Sequence, residues 1–307
     1  MRLGIMCGAP GTDQGPSASI QDYIDYAKKI EALGFSTLWM AHIFGLDAIS
    51  VLGLAGRETS KLELGTAVVR SHGRHPIEMA QAAMTSSVAA QGRFTLGIGV
   101  AHKIVIEGNY GLSFDRPARH MREYLEILRP LLNGEVVKHK GEQYQVRAKI
   151  TVPGAKPTPL LLAALGDRML DLAGQVGDGT ITWLCGPETL SKHIIPKISL
   201  AANKAGRPAP RIVCGLPTIL VAKSQVASAK DQISKSFELY GTIPSYRAML
   251  DREGVTGPAD VAMVGDESDL RKKLNLYRDL GVTDFDAAIA DMGESANRTL
   301  EFLASEL

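Results

Sequence analysis

Cysteine is scarce in this 307-residue chain: Cys7, Cys185 and Cys214 are the only three, far apart and with no CxxC pair. That excludes a disulfide scaffold and a structural zinc site, and it suits a reducing compartment. Aromatic residues make up only 6% of the chain. No apolar run reaches the ~18 residues a membrane-spanning helix needs. Excess charge is missing too, because 34 Lys and Arg stand against 33 Asp and Glu, a formal net charge of +1. Nothing therefore drives the chain electrostatically toward nucleic acid or an anionic membrane. The opening residues, Met1 to Gly11, hold too short an apolar stretch for a secretory signal. The expectation is a soluble cytoplasmic protein whose partner is a small molecule, with no nucleic acid and no membrane, and with a homodimer left open.

What is present is ordinary globular composition, 45% hydrophobic and 22% charged, arranged as short β-branched runs that alternate with helical patterns. The apolar runs are Arg2 to Gly8, Thr37 to Ala41, Leu62 to Val69, Phe94 to Gly99, Leu160 to Ala164, Thr180 to Leu184, Arg211 to Val221 and Asp284 to Ile289. After the first run, Tyr23, Ala27, Ile30 and Leu33 form a helical stripe that Gly34 stops. Helices are also predicted from about Leu46 to Arg57, from Pro76, over His120 to Leu132, and after each later run. Eight strand–helix units predict an α/β fold, a (β/α)8 TIM barrel with inserted loops, rather than an open sheet. One domain spans residues 1–307, with insertions near 100–118, 134–159 and 241–265. In the second of these, Lys140-Gly141-Glu142 between two β-branched runs predicts a hairpin.

In such a barrel the reactive groups belong on the loops that follow the strands. The second strand runs into His42. The third runs into Arg70, Ser71, His72, Arg74 and His75. The fourth ends in Gly99-Val-Ala-His102, with Glu107 beyond it. Four of the seven histidines fall on these three loops, although a loop histidine is more often simply solvated. A catalytic metal is not expected: the first strand carries no His-x-His, and His72 and His75 lie on a glycine-containing loop. Gly97-x-Gly99 lacks the third glycine and the helix of a dinucleotide fingerprint. The run Leu160 to Arg168 is strand, glycine turn and helix start, whose exposed amides suit a phosphate, as at many βα junctions. The pairs Arg119/Glu123 and Arg122/Glu126 have the spacing of surface support on a helix, and Trp39 is expected in the core rather than in a pocket wall.

Along nearly its whole length the chain resembles the bacterial luciferase-like (luciferase-like monooxygenase) superfamily, in the branch that uses the deazaflavin coenzyme F420. The resemblance rests on Glu31 to Trp39, Leu64 to Val68, Arg93 to Gly99, Arg119 to Arg129 with Leu131 to Gly134, Ala163 to Gly166, Gly177-Asp-Gly179, Val264-Gly265 and Leu280 to Phe285. It implies a barrel whose mouth holds the cofactor ring against Ala67, Val68, Val100 and Ala101. The phosphate end would lie by Leu165, Gly166 and Asp167, with Cys185 and Gly186 nearby. It also implies a cis peptide at Ala67–Val68, which the sequence itself does not show. His42 matches the histidine placed near the reacting carbon, and His102 is the second catalytic candidate. Two departures stand out: Ala41 replaces an acidic residue that many relatives carry, and His102 stands where several have glutamate. The function implied is hydride transfer between F420 and a small organic substrate. The alternatives are an FMN-dependent monooxygenase of the same superfamily, a non-catalytic deazaflavin carrier, and a metal hydrolase.

Overall fold

The computed structural model describes residues 1–290 and 292–307. Eight parallel strands follow the apolar runs: β1 (Arg2–Cys7), β2 (Thr37–Met40), β3 (Glu63–Thr66), β4 (Phe94–Gly99), β5 (Leu160–Leu162), β6 (Gly179–Trp183), β7 (Arg211–Leu220) and β8 (Asp284–Ile289). Neighbours in sequence pair from β1 through to β8, and β8 pairs back onto β1, so the sheet closes as a barrel. Helices α1 (Ile20–Ala32), α2 (Ala48–Glu58), α3 (Pro76–Ala89), α4 (Pro117–Leu132) and α5 (Asp167–Gln175) cover the first strands. α1 starts where Ser19 and Asp22 satisfy each other's backbone N–H groups, and its buried face of Tyr23, Ala27 and Ile30 packs on the sheet. None of the described helices is long and apolar enough to cross a membrane.

Side chains alternate across each strand, so one set faces the helices and the other fills the lumen. Trp39, Leu161, Ile181 and Val213 form the lumen core, with Ala67, Val68 and Ala163 packed on it. Trp39 can lie across the barrel because its opposite neighbour is Gly65, where any β-carbon would enter the indole ring. Below it, at the strand starts, an ionic plug closes the lumen. Arg211 makes two bonds to Asp284, at 2.9 and 2.7 Å, and also meets Glu63; Arg2 bridges Glu63 and Asp284, each at 2.7 Å. Asp284 is fully buried, so these partners are mutually obligatory. The lumen is thus left open only toward the strand C-termini.

Several expectations are refined. The third strand is not one run: it breaks after Thr66 and resumes as Val69–Arg70, paired with Ile98–Gly99. Between the pieces, Ala67–Val68 is a cis peptide, as the resemblance implies. The hairpin is present, Val137–Lys140 against Gln145–Ala148. It corrects the reading of the Arg119/Glu123 pair. Glu123 is buried and accepts N–H bonds from Glu142, Gln143 and Tyr144 (3.2, 2.8 and 3.1 Å), while Arg119 pairs with Glu142. The hairpin folds back onto α4 and takes the carboxylate for its own turn. The third insertion is not irregular either. It carries a helix, Pro244–Glu253, and a strand, Met263–Gly265, which pairs with Thr218–Leu220 because β7 is ten residues long and overshoots the barrel.

Candidate active site at the barrel mouth

The floor of the mouth is built from small residues. A β-carbon at Gly99 would stand 3.0 Å from Val68 Cγ2 and 3.2 Å from Ala163 Cβ, so glycine at this position keeps the strand ends level. Ala67, Val68 and Ala163 cap the lumen core there, and Val100 and Ala101 continue from β4. Ala101 has φ of 60° and Leu184, beyond β6, has φ of 55°. Such left-handed non-glycine residues cost free energy and gather at functional loops.

His42 stands at the end of β2, with its side chain only 11% exposed. Its Nδ1 accepts the N–H of Ala48 at 3.2 Å, so the neutral ring carries its hydrogen on Nε2. Burial pulls its pKa down to about 4, helped by Arg70 and Arg74 and opposed by Asp47. The ring therefore does not titrate near neutrality, and its form at neutral pH is a neutral donor. Arg74 holds Asp47 at 2.5 Å, while Asp47 also caps α2 through Ser50. Arg70 bonds the carbonyls of His42 and Ile43 through Nη1, at 3.2 and 3.0 Å. Its guanidinium lies 5.4 Å from the Phe44 ring centre and 4.7 Å from that of Tyr110.

His102 faces a different group, the edges of Tyr240 and Tyr246, at 6.0 and 5.7 Å between ring centres. Burial lowers its pKa also. Tyr240 contacts Trp183, whose ring meets Phe237, so the third insertion and the segment before it give the mouth an aromatic wall. His102 thus packs with the tyrosines of the wall, whereas His42 sits among Ala48, Asp47 and the two arginines. Alongside, His72 stacks on His120 at 3.9 Å and borders a cavity of about 540 Å³ with Ser113, Asp115, Arg116 and Gln143. Sequence reasoning missed the roles of Tyr240, Tyr246 and His120, whose positions depend on tertiary folding of the insertions. Among the described residues, no three His, Cys, Asp or Glu side chains converge as metal ligands.

The two expected phosphate-side loops differ. Gly166 is exposed at the N-cap of α5, with open space around its Cα and no side-chain cap. Asp167 follows it, with Lys197 3.9 Å away, and Leu165 O accepts from His193 at 2.7 Å. Cys185 and Gly186, by contrast, are buried. The Glu253 carboxylate sits over Gly186, where a β-carbon would overlap it, and accepts the N–H groups of Glu188 and Thr189 at 3.1 and 2.8 Å. A negative side chain of this chain therefore already occupies the start of the helix that begins at Pro187. Burial also pushes the Cys185 thiol up to about 12.

Comparison with known proteins adds four findings. The profile of the luciferase-like monooxygenase family matches residues 1–284. A putative coenzyme F420-dependent oxidoreductase of Mycobacterium tuberculosis is 32% identical over 198 residues, covering 60% of this chain and 55% of that protein. The 5,10-methylenetetrahydromethanopterin reductase of Methanolobus tindarius is 24% identical over 327 residues, covering 97% of this chain and 98% of its own. In fold, the coenzyme F420-dependent tetrahydromethanopterin reductase of Methanopyrus kandleri matches 100% of this chain and 98% of its own, with a TM-score of 0.78 at 20% identity.

Proposed function

The chain belongs to the luciferase-like monooxygenase family, and from that membership we propose an oxidoreductase that moves a hydride between coenzyme F420 and a small organic substrate. The observation that carries this reading is the pairing of a flat, small-residue floor with a buried neutral histidine at its edge. Relatives described as F420-dependent support the choice of deazaflavin.

The residues fit such a group. Ala67, Val68, Val100 and Ala101 offer an apolar face to a flat ring, and the uncapped, open start of α5 at Gly166 and Asp167 suits a phosphate. The reading puts the phosphate at Gly166 and Asp167 rather than at Cys185 and Gly186, because Cys185 is buried and Glu253 covers Gly186. When bound, the deazaflavin supplies two-electron hydride chemistry, its ring carbon at the flavin N5 position excluding oxygen activation. The protein's own share is orientation and exclusion of water, which the aromatic wall around Tyr240 and Tyr246 provides. His42 donates from Nε2 to a substrate oxygen and stabilises negative charge there, as a neutral imidazole can. His102 joins the aromatic wall beside Tyr240 and Tyr246.

The test is titration of the purified protein with coenzyme F420 and, separately, FMN. The expected result is at least tenfold tighter binding of the deazaflavin; preference for FMN would make the protein a monooxygenase, and binding without turnover a carrier. His42→Gln should lower turnover about 100-fold with cofactor affinity retained. A loss confined to cofactor binding would make His42 a ring contact instead. Gly166→Asp should weaken the cofactor at least tenfold, while the apo-protein keeps or slightly gains stability, since aspartate is a good N-cap.

A further inference from the structure

Arg70 is held in place without an acidic partner. Four residues on, Arg74 is neutralised by Asp47 at 2.5 Å, but among the described residues no carboxylate lies within ion-pair distance of Arg70. Its hydrogen bonds all leave from one nitrogen, Nη1, to the carbonyls of His42 and Ile43. The rings of Phe44 and Tyr110 flank the guanidinium. Nη1 is thus anchored and two rings pack against the guanidinium, while Nε and Nη2 make no bond within the described protein. Those two nitrogens form the edge that meets a carboxylate with two parallel bonds. A fork already immobilised loses little entropy on binding. A merely structural arginine needs the anchor and the rings, but has no need of an unpaired edge at the mouth.

The surroundings describe the rest of the ligand. Phe44 is 61% exposed beside Arg70; after β4, Ile104 on the short helix Lys103–Gly108 and Leu112 beyond it are also exposed. Exposed apolar surface at a site suits an apolar or aromatic body. His42, whose backbone carbonyl Arg70 holds, offers a second unpartnered donor at Nε2.

We propose that Arg70 is a specificity-determining residue of this mouth, and that the substrate carries a carboxylate on an aromatic or apolar body. This rests on the mouth being the substrate site, as argued above, but its test does not require the cofactor. The probes are benzoate and its neutral isostere benzamide, measured by isothermal titration against the whole protein, with and without deazaflavin. The wild type should bind benzoate at least tenfold more tightly than benzamide. Arg70→Met should abolish that preference while leaving benzamide binding unchanged, and Arg70→Lys should restore only part of it, because an ammonium keeps the charge but lacks the fork. Equal binding of the two probes, no benzoate binding at millimolar concentration, or a preference that survives in Arg70→Met would each overturn the proposal. Should Arg70→Met fail to fold, the comparison of wild type with Arg70→Lys decides: equal benzoate preference in both removes the fork from recognition. If the wild type discriminates the probes yet binds neither F420 nor FMN, the cofactor reading fails and the carboxylate subsite stands.

Discussion

Replacing Gly186 by alanine tests how the third insertion is fastened to the barrel. The backbone at Gly186 has φ of −81° and ψ of 176°, which alanine adopts freely, so the perturbation is purely the added methyl group. That methyl would overlap the Glu253 carboxylate. The carboxylate ends a flexible side chain and can swing away, so the cost is not the clash but the bonds it leaves behind. Glu188 is exposed, and water can replace the bond to its N–H. Thr189 is buried, and the N–H it gives to Glu253 at 2.8 Å loses its partner. Stranding one buried donor of a charge-assisted bond costs about 2 kcal/mol. With about 2.1 cal/mol/K of unfolding entropy per residue over the 307-residue chain, that lowers the melting temperature by about 3 °C. Glu253→Ala should cost a similar amount, and the double variant little more than either, a coupling of about 2 kcal/mol in a double-mutant cycle. The assay is thermal unfolding followed by circular dichroism, together with limited proteolysis, in which the segment around Tyr246 should be cut faster in each variant. Additive losses, or an alanine variant as stable and as protease-resistant as the wild type, would show that Glu253 does not clasp the insertion.

Stability should also depend on pH through His42 and His72, whose pKa values burial lowers to about 4. Their neutral forms are favoured in the fold while the unfolded chain protonates near 6.5. The contribution is therefore full above pH 6.5 and is lost as pH falls toward 4, by about 1–3 kcal/mol for each histidine; a melting temperature flat across that window, or one unaffected by His72→Gln, would refute it. Asp286 carries the opposite sign: burial holds its carboxyl protonated well above the usual range, with neither oxygen hydrogen-bonded among the described residues. Asp286→Asn should be more stable than the wild type at pH 7, by roughly 1.4 kcal/mol for each unit of that rise, with the gain shrinking as pH drops to 4; an equal gain at both pH values would place its origin elsewhere.

The barrel was legible in the sequence because its signals are local. Each β-branched run, its following helical stripe and its punctuating glycine repeat within about forty residues, and eight repeats leave few topologies. The pieces that escaped depend on contacts between distant segments. Glu123 has the spacing of a surface pair with Arg119, and only the return of the hairpin shows that it serves Gln143 and Tyr144 instead. Glu253 lies 65 residues from Glu188, so nothing in either neighbourhood announces that one caps the other. The helix Pro244–Glu253 was hidden for a simpler reason: Gly241, Pro244, Gly254, Gly257 and Pro258 in and around it mimic a loop.

At the mouth, the residue types were legible but their protonation and pairing were not, and those decide the chemistry. A histidine on a strand-two loop suggests a proton shuttle, yet burial and two neighbouring arginines leave His42 a neutral donor. The nearby acids are committed elsewhere, Asp47 to Arg74 and Ser50, Glu253 to Glu188 and Thr189. What remains unpaired is donor capacity, Nε2 of His42 and the outer edge of Arg70. Uncompensated donors at a half-buried site stabilise negative charge on oxygen far better than they accept a proton. On the proposed reading, the protein contributes to hydride transfer chiefly by holding an oxyanion: a carbonyl oxygen gains negative charge on reduction and then takes its proton from solvent, and an alcohol that has given its proton to solvent bears that charge until the hydride leaves.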